Sequence, residues 1–122
     1  MKLNSRIHGA IDYAVVVFLF LSPTLFDLPE ITSIFTYILG VIHLLLTTMT
    51  KFEFGVFKLI PFRIHGIIEL IVSLVLIPVA FYLGNGEGDV SRNFYLVFVI
   101  VVFLTWLITD YKSSSVNPST NR

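Results

Sequence analysis

The sequence contains no cysteine, which removes disulfides, thiolate metal sites, iron-sulfur ligation and a cysteine nucleophile from consideration. Charge is scarce as well: Asp, Glu, Lys and Arg make up 13% of the 122 residues, against roughly a quarter in soluble domains. Formal net charge is zero and no basic tract occurs, so nothing provides an electrostatic footprint for nucleic acid. A serine nucleophile motif, a phosphate loop and a dinucleotide fingerprint are also missing. The chain is therefore read as a non-enzyme without a motif for any cofactor.

What is present is apolar. Hydrophobic residues reach 56% and the mean hydropathy is +0.89. Twelve Phe and five Tyr accompany a single Trp, a composition suited to a chain that faces lipid and carries interfacial aromatics. Four apolar runs predict four helices, at about 7–21, from 31 or 32 to 49, 64–82 and 93–108. Asn4 or Ser5 is placed to cap the first. Lys2 and Arg6 could open a signal peptide, but no small-residue cleavage site follows the first run, so it is read as a retained helix. The segment 23–30, with two prolines and two acids, predicts a surface turn. The aromatic link 51–62 is expected to lie along the membrane interface. Gly84-Asn85-Gly86-Glu87-Gly88-Asp89 reads as a flexible acidic turn without helix. Trp106 and Tyr111 are expected as interfacial anchors, and 112–122 as a disordered cytoplasmic tail.

The chain is written twice. Arg6-Ile7-His8-Gly9-Ala10-Ile11-Asp12 returns as Arg63-Ile64-His65-Gly66-Ile67-Ile68-Glu69, each residue 57 positions on. The halves 6–50 and 63–111 each hold two apolar runs, and Tyr37 and Thr47 are matched by Tyr95 and Thr105. The predicted fold is all-α: one integral membrane domain over 1–122, a four-helix bundle of two tandem, parallel-repeated helical hairpins. Lys2, Arg6, Lys51, Lys58, Arg63, Lys112 and Arg122 fall on one side of this arrangement and Arg92 on the other. The bias predicts cytoplasmic termini and a cytoplasmic central link.

Within each motif the His and the acid are four apart, hence neighbours on one helical face. A carboxylate near hydrocarbon is costly unless paired, so Arg6, His8, Asp12, Arg63, His65 and Glu69 are expected to form one polar network. Gly9 and Gly66 would let another helix or an Arg stem come close. The first reading of this network is a lock between the halves. Others are a proton or ligand site, a metal or haem site drawing on two imidazoles and two carboxylates, and a lipid-headgroup site at the arginines. His43 is a secondary candidate: its counterpart is Val101, and a haem role would need a facing His at its depth.

With Ser22-Pro23 at the far end of the first helix, the duplicated hairpin resembles the SPW-repeat family of small bacterial membrane proteins. Each repeat of that family is a pair of transmembrane helices with Ser-Pro-Trp in the first. Thr24 stands where the Trp would be, and the second copy, Ile77-Pro78-Val79, keeps only the proline. The resemblance implies a bacterial inner-membrane location and carries no biochemical role. The expected function is a structural protein or membrane-complex component, with a proton-coupled transporter or channel subunit and a metal- or haem-binding protein as alternatives. The expected partners are the lipid bilayer and a homo-oligomer or larger complex.

Overall fold

The computed structural model describes residues 2–111, so the predicted tail lies outside the described residues. The fold is all-α, built on α1 (Ser5–Leu25), α2 (Glu30–Thr48), α3 (Phe62–Glu87) and α4 (Asp89–Ile108). Each is long and apolar enough to cross a membrane, with mean hydropathy between 1.5 and 2.4. Helix α1 packs on α2 and α3 on α4, and a smaller contact joins α2 to α3.

Burial reverses the pattern of a soluble bundle. Val17, Leu21, Ile38, Ile71, Leu74, Val97 and Ile100 are exposed, whereas His8, Asp12, Thr32, Thr36, His65, Glu69 and Ser73 are buried. The apolar core is compact and holds Leu19, Leu76, Ala80, Leu83, Tyr95, Phe98 and Val99. Thr36 Oγ1 and Tyr95 Oη, 2.5 Å apart, tie α2 to α4 inside it.

Local chemistry explains most boundaries. The Asn4 side chain accepts from Ile7 N–H at 2.9 Å and starts α1. The helix continues past the predicted end at Leu21 with Pro23 in its last turn. Proline forfeits one backbone hydrogen bond there, and the chain turns only at Asp27, in the left-handed region at φ 49°.

The expected turn over 84–89 is instead helical as far as Glu87, with Gly88 at φ 104° as the sole break before α4. Two tertiary contacts override the poor helix propensity of Gly84-Asn85-Gly86. A Cβ on Gly84 would stand 2.7 Å from Arg92 Cβ, so glycine lets α4 pack close against the end of α3. The Glu87 carboxylate, for its part, accepts from Ile31 N–H at 2.9 Å, from Thr32 N–H at 2.6 Å and from Thr32 Oγ1 at 2.6 Å. One acid from α3 thus caps α2, whose own preceding residue, Pro29, makes no side-chain cap.

At the opposite end two short parallel pairings brace the helices. Thr50–Lys51 (β1) pairs with Ile60–Pro61 (β2), in register Thr50 with Ile60, and Leu3 forms a single bridge with Thr109. The central link has two faces. Phe52 and Phe62 are buried, while Phe54, Val56, Phe57 and Leu59 are exposed. It is stapled to α1 by Ser5 Oγ donating to Glu53 at 2.7 Å and Tyr13 Oη donating to Phe54 O at 2.7 Å.

Replacing Glu87 with Ala removes all three bonds to the start of α2. The thermal midpoint of the purified protein should fall, and Glu87→Gln, which keeps an acceptor oxygen, should recover part of the loss. An unchanged midpoint in Glu87→Ala would show that α2 starts without this cap.

Candidate functional site

Four of the six residues of the expected network meet in one cluster. His8 and Asp12 come from α1, His65 and Glu69 from α3, and none exceeds 5% exposure. Each His faces both acids. His8 Nε2 lies 2.7 Å from Glu69 Oε1 and 3.3 Å from Asp12 Oδ2. His65 Nε2 lies 2.9 Å from Asp12 Oδ2 and also touches Glu69 Oε1. Arg6 and Arg63 stay outside the cluster: both are exposed, and among the described residues neither forms an ion pair with these acids. The polarity of the buried cluster is met by imidazole, not guanidinium.

The far side of each imidazole is held by a threonine. His8 Nδ1 is 2.8 Å from Thr109 Oγ1 and His65 Nδ1 is 2.7 Å from Thr50 Oγ1. The parallel pairings deliver both hydroxyls, since Leu3, five residues before His8, bridges to Thr109, and Ile60, five before His65, pairs with Thr50. Each hydroxyl already donates its one hydrogen to a carbonyl, Thr109 to Thr105 O at 2.5 Å and Thr50 to Leu46 O at 2.6 Å. It can therefore only accept from imidazole. Both His rings carry hydrogen on Nδ1, and in the neutral ring the Nε2 lone pair points at the carboxylates.

A lone pair and a carboxylate oxygen do not rest 2.7 Å apart unaided. A positive centre belongs between them, either a second proton on each ring or a bridging cation. The donor geometry leaves room for the question. His65 Nε2, Asp12 Oδ2 and His43 Nε2 are buried without an aligned hydrogen-bond partner among the described residues. One ligand atom from each of His8, Asp12, His65 and Glu69 lies within 4.8 Å of every other, close enough for the four to hold a metal ion.

His43 of α2 stands at the margin, its Nε2 3.6 Å from Asp12 Oδ1. Beside it a cavity of about 50 Å³ is lined by Leu39, Ile42, His43, Glu69 and Val72. Haem ligation does not suit the arrangement. The His8 and His65 rings are edge to face with centroids 5.4 Å apart, and carboxylates occupy the space between their Nε2 atoms where a macrocycle would have to lie.

The two motif glycines are approached by rings from loops, not by a helix or an Arg stem. A Cβ on Gly9 would overlap the Phe52 ring, and one on Gly66 would come 2.8 Å from Tyr111 Cε1. Phe52 stacks on Phe62 at 6.0 Å, and Phe62 packs on Tyr111 at 4.7 Å. These three aromatics roof the cluster. Tyr111, expected as an interfacial anchor, packs its ring over His8 at 5.5 Å. Burial, reinforced by the Glu69 and Asp12 charges, pushes its hydroxyl well above the ordinary tyrosine range.

Thr50, Thr109, Phe52 and Phe62 escaped the sequence reading as site residues. A signal existed, because Thr50 and Phe52 recur as Thr109 and Tyr111 at a separation of 59 residues. The shift from 57 at the motif hides the match. No family model matches the chain, and neither a curated protein nor a solved structure is significantly similar to it.

Two outcomes are expected. Removing one acid, as in Glu69→Leu, should destabilise the protein by about 3–5 kcal/mol, because a buried partner is left uncompensated, whereas replacing all four residues by apolar ones should cost little or nothing. Chemical denaturation of both variants in detergent checks the contrast. Separately, Tyr111→Phe should remove no ionisation near pH 10 from a spectrophotometric titration of the folded protein. The stability owed to the protonated Tyr111 hydroxyl is full below the unfolded tyrosine pKa of about 10 and declines as pH rises from there towards the higher folded value.

Proposed function

We propose that this chain is a four-span integral membrane protein without catalytic chemistry, whose two hairpins close on one buried binding site for a small cation. The observation that carries this reading is the convergence of His8, Asp12, His65 and Glu69, whose ligand atoms all lie within 4.8 Å of one another, with His43 beside them. The apolar exterior supports the membrane placement. The basic residues on one side support cytoplasmic termini and a cytoplasmic central link in a bacterial inner membrane. The matched details of the two halves support a tandem, parallel repeat. Kinship with the SPW-repeat family is part of the proposal on the strength of Ser22-Pro23 in the sequence.

A second reading is a static lock between the hairpins within a homo-oligomer or larger membrane complex. It is favoured by the 2.7 Å contact of His8 with Glu69, which a protonated ring would satisfy without any ion. Transport through one copy finds less support, since the cavity next to the cluster holds about 50 Å³ and apart from His43 and Glu69 is lined by apolar side chains.

Thermal unfolding of chelator-treated protein in detergent, with Na⁺, Mg²⁺, Ca²⁺, Mn²⁺ and Zn²⁺ added singly, separates the two. Binding to the folded state raises the midpoint, by an amount that grows with cation concentration. At least one cation should do so in the native chain and none in the double variant Asp12→Asn with Glu69→Gln. Indifference of the native chain to every cation would leave only the lock.

A further inference from the structure

The geometry points to a divalent first-row transition ion as the cation, bound by His8 Nε2, His65 Nε2, Asp12 Oδ2 and Glu69 Oε1. This deepens the cation-binding reading and rests on it.

Three features of the cluster argue for this class. The first is the donor set. Two imidazole nitrogens with two carboxylate oxygens suit ions of intermediate softness that accept four ligands, whereas calcium and magnesium take six or more oxygens, with backbone carbonyls or water among them. The second is the pair of threonines. Ligating histidines usually donate their other ring N–H to a fixed acceptor, which sets the tautomer and aims the coordinating lone pair. Thr109 and Thr50 do this at 2.8 and 2.7 Å, with their own hydrogens committed to Thr105 O and Leu46 O. A doubly protonated ring would use the same acceptors, since its buried Nδ1–H also needs a partner, so the threonines aim the Nε2 atoms and the donor set and spacing favour the metal.

Spacing and charge are the third. Bonds of about 2.0–2.2 Å in a tetrahedral site put ligand atoms roughly 3.3–3.6 Å apart. Here His8 Nε2 and Glu69 Oε1 are 2.7 Å apart, His65 Nε2 and Glu69 Oε1 are closer still, and all four ligand atoms lie within 4.8 Å of one another. Loading the site then takes side-chain rotations without a shift of helix axes. A divalent ion also cancels two carboxylates in a place where water cannot. His43 Nε2, 3.6 Å from the other Asp12 oxygen, is set to hold the aspartate while Oδ2 turns to the metal. The roof of Phe52, Phe62 and Tyr111 keeps that side of the site dry.

Cobalt(II) is the probe, since its visible absorption reports coordination number. Full-length protein in nanodiscs, stripped with chelator and titrated with Co²⁺, should take up one ion per chain and develop the intense bands of a four-coordinate site. Zn²⁺ should displace it and Mg²⁺ or Ca²⁺ should not. Thr50→Val with Thr109→Val should weaken Co²⁺ binding about 10–100-fold with helical content unchanged, and Thr→Ser at both positions should restore it. Weak bands of six-coordinate cobalt, displacement by Mg²⁺ or Ca²⁺, or affinity unaffected by the valines would overturn the assignment. If Na⁺, Mg²⁺ or Ca²⁺ stabilises the protein while no four-coordinate cobalt forms, the cation-binding reading stands and this inference falls. If no cation of any kind has an effect, both fall.

Discussion

Two carboxylates held out of water beside each other repel, and neither is tolerable in an apolar medium without a positive partner. Asp12 and Glu69 are in that position, and the rest of the structure is arranged around the two imidazoles that make it bearable. The requirement is shared between the halves, because each acid is faced by the His of its own helix and by the His of the other. Polar attraction, not a broad apolar seam, is what draws α1 towards α3. Where the outer surface of a bundle is itself largely apolar, burial of hydrocarbon offers little discrimination between arrangements, and a few specific polar contacts decide which helices meet.

The same economy of polar contacts recurs at the other end. Glu87 secures the start of α2, and Thr32 Oγ1 passes the contact on to Ser91 of α4 at 2.7 Å. Between the two ends the interior is filled by aliphatic and aromatic side chains, with Thr36 and Tyr95 satisfying each other. The helices are thus pinned near both termini, and the site is held by α1 and α3 from below and by the paired segments Leu3 with Thr109 and Thr50 with Ile60 from above.

Much of this was legible in the residues, and what was not has physical causes. Apolar runs of spanning length announced four helices, and a His and an acid four apart announced a shared face. The repetition suggested that the two motifs share one network, but the pairing of His8 with Glu69 and of His65 with Asp12 came only with the structure. Helix ends were harder. Gly84-Asn85-Gly86 have poor intrinsic propensity, and the packing of Arg92 and the capping of α2 by Glu87, which local sequence does not reveal, hold them helical. The arginines misled because they share the motif with the His and the acid, but Arg6 and Arg63 lie on exposed faces of their helices. The threonines were hidden for another reason. A hydroxyl near a helix end ordinarily bonds to the helix's own carbonyl, as Thr50 and Thr109 do, and nothing local reveals that the same oxygen also accepts a hydrogen bond from a distant ring.

The exchange of hydroxyls has one more consequence. The threonine that orients His8 follows α4, and the one that orients His65 follows α2, so neither hairpin contains a whole site. A chain with a single hairpin could complete these contacts only by associating with a copy of itself, and the site would then form at a rate and occupancy set by protein concentration. Joining two hairpins through the stapled link 51–62 makes the encounter intramolecular, at an effective concentration in the millimolar range or above. It also frees the halves to diverge: a dimer of identical hairpins would carry two copies of His43 or none, whereas the joined chain has a histidine on one flank and Val101 on the other.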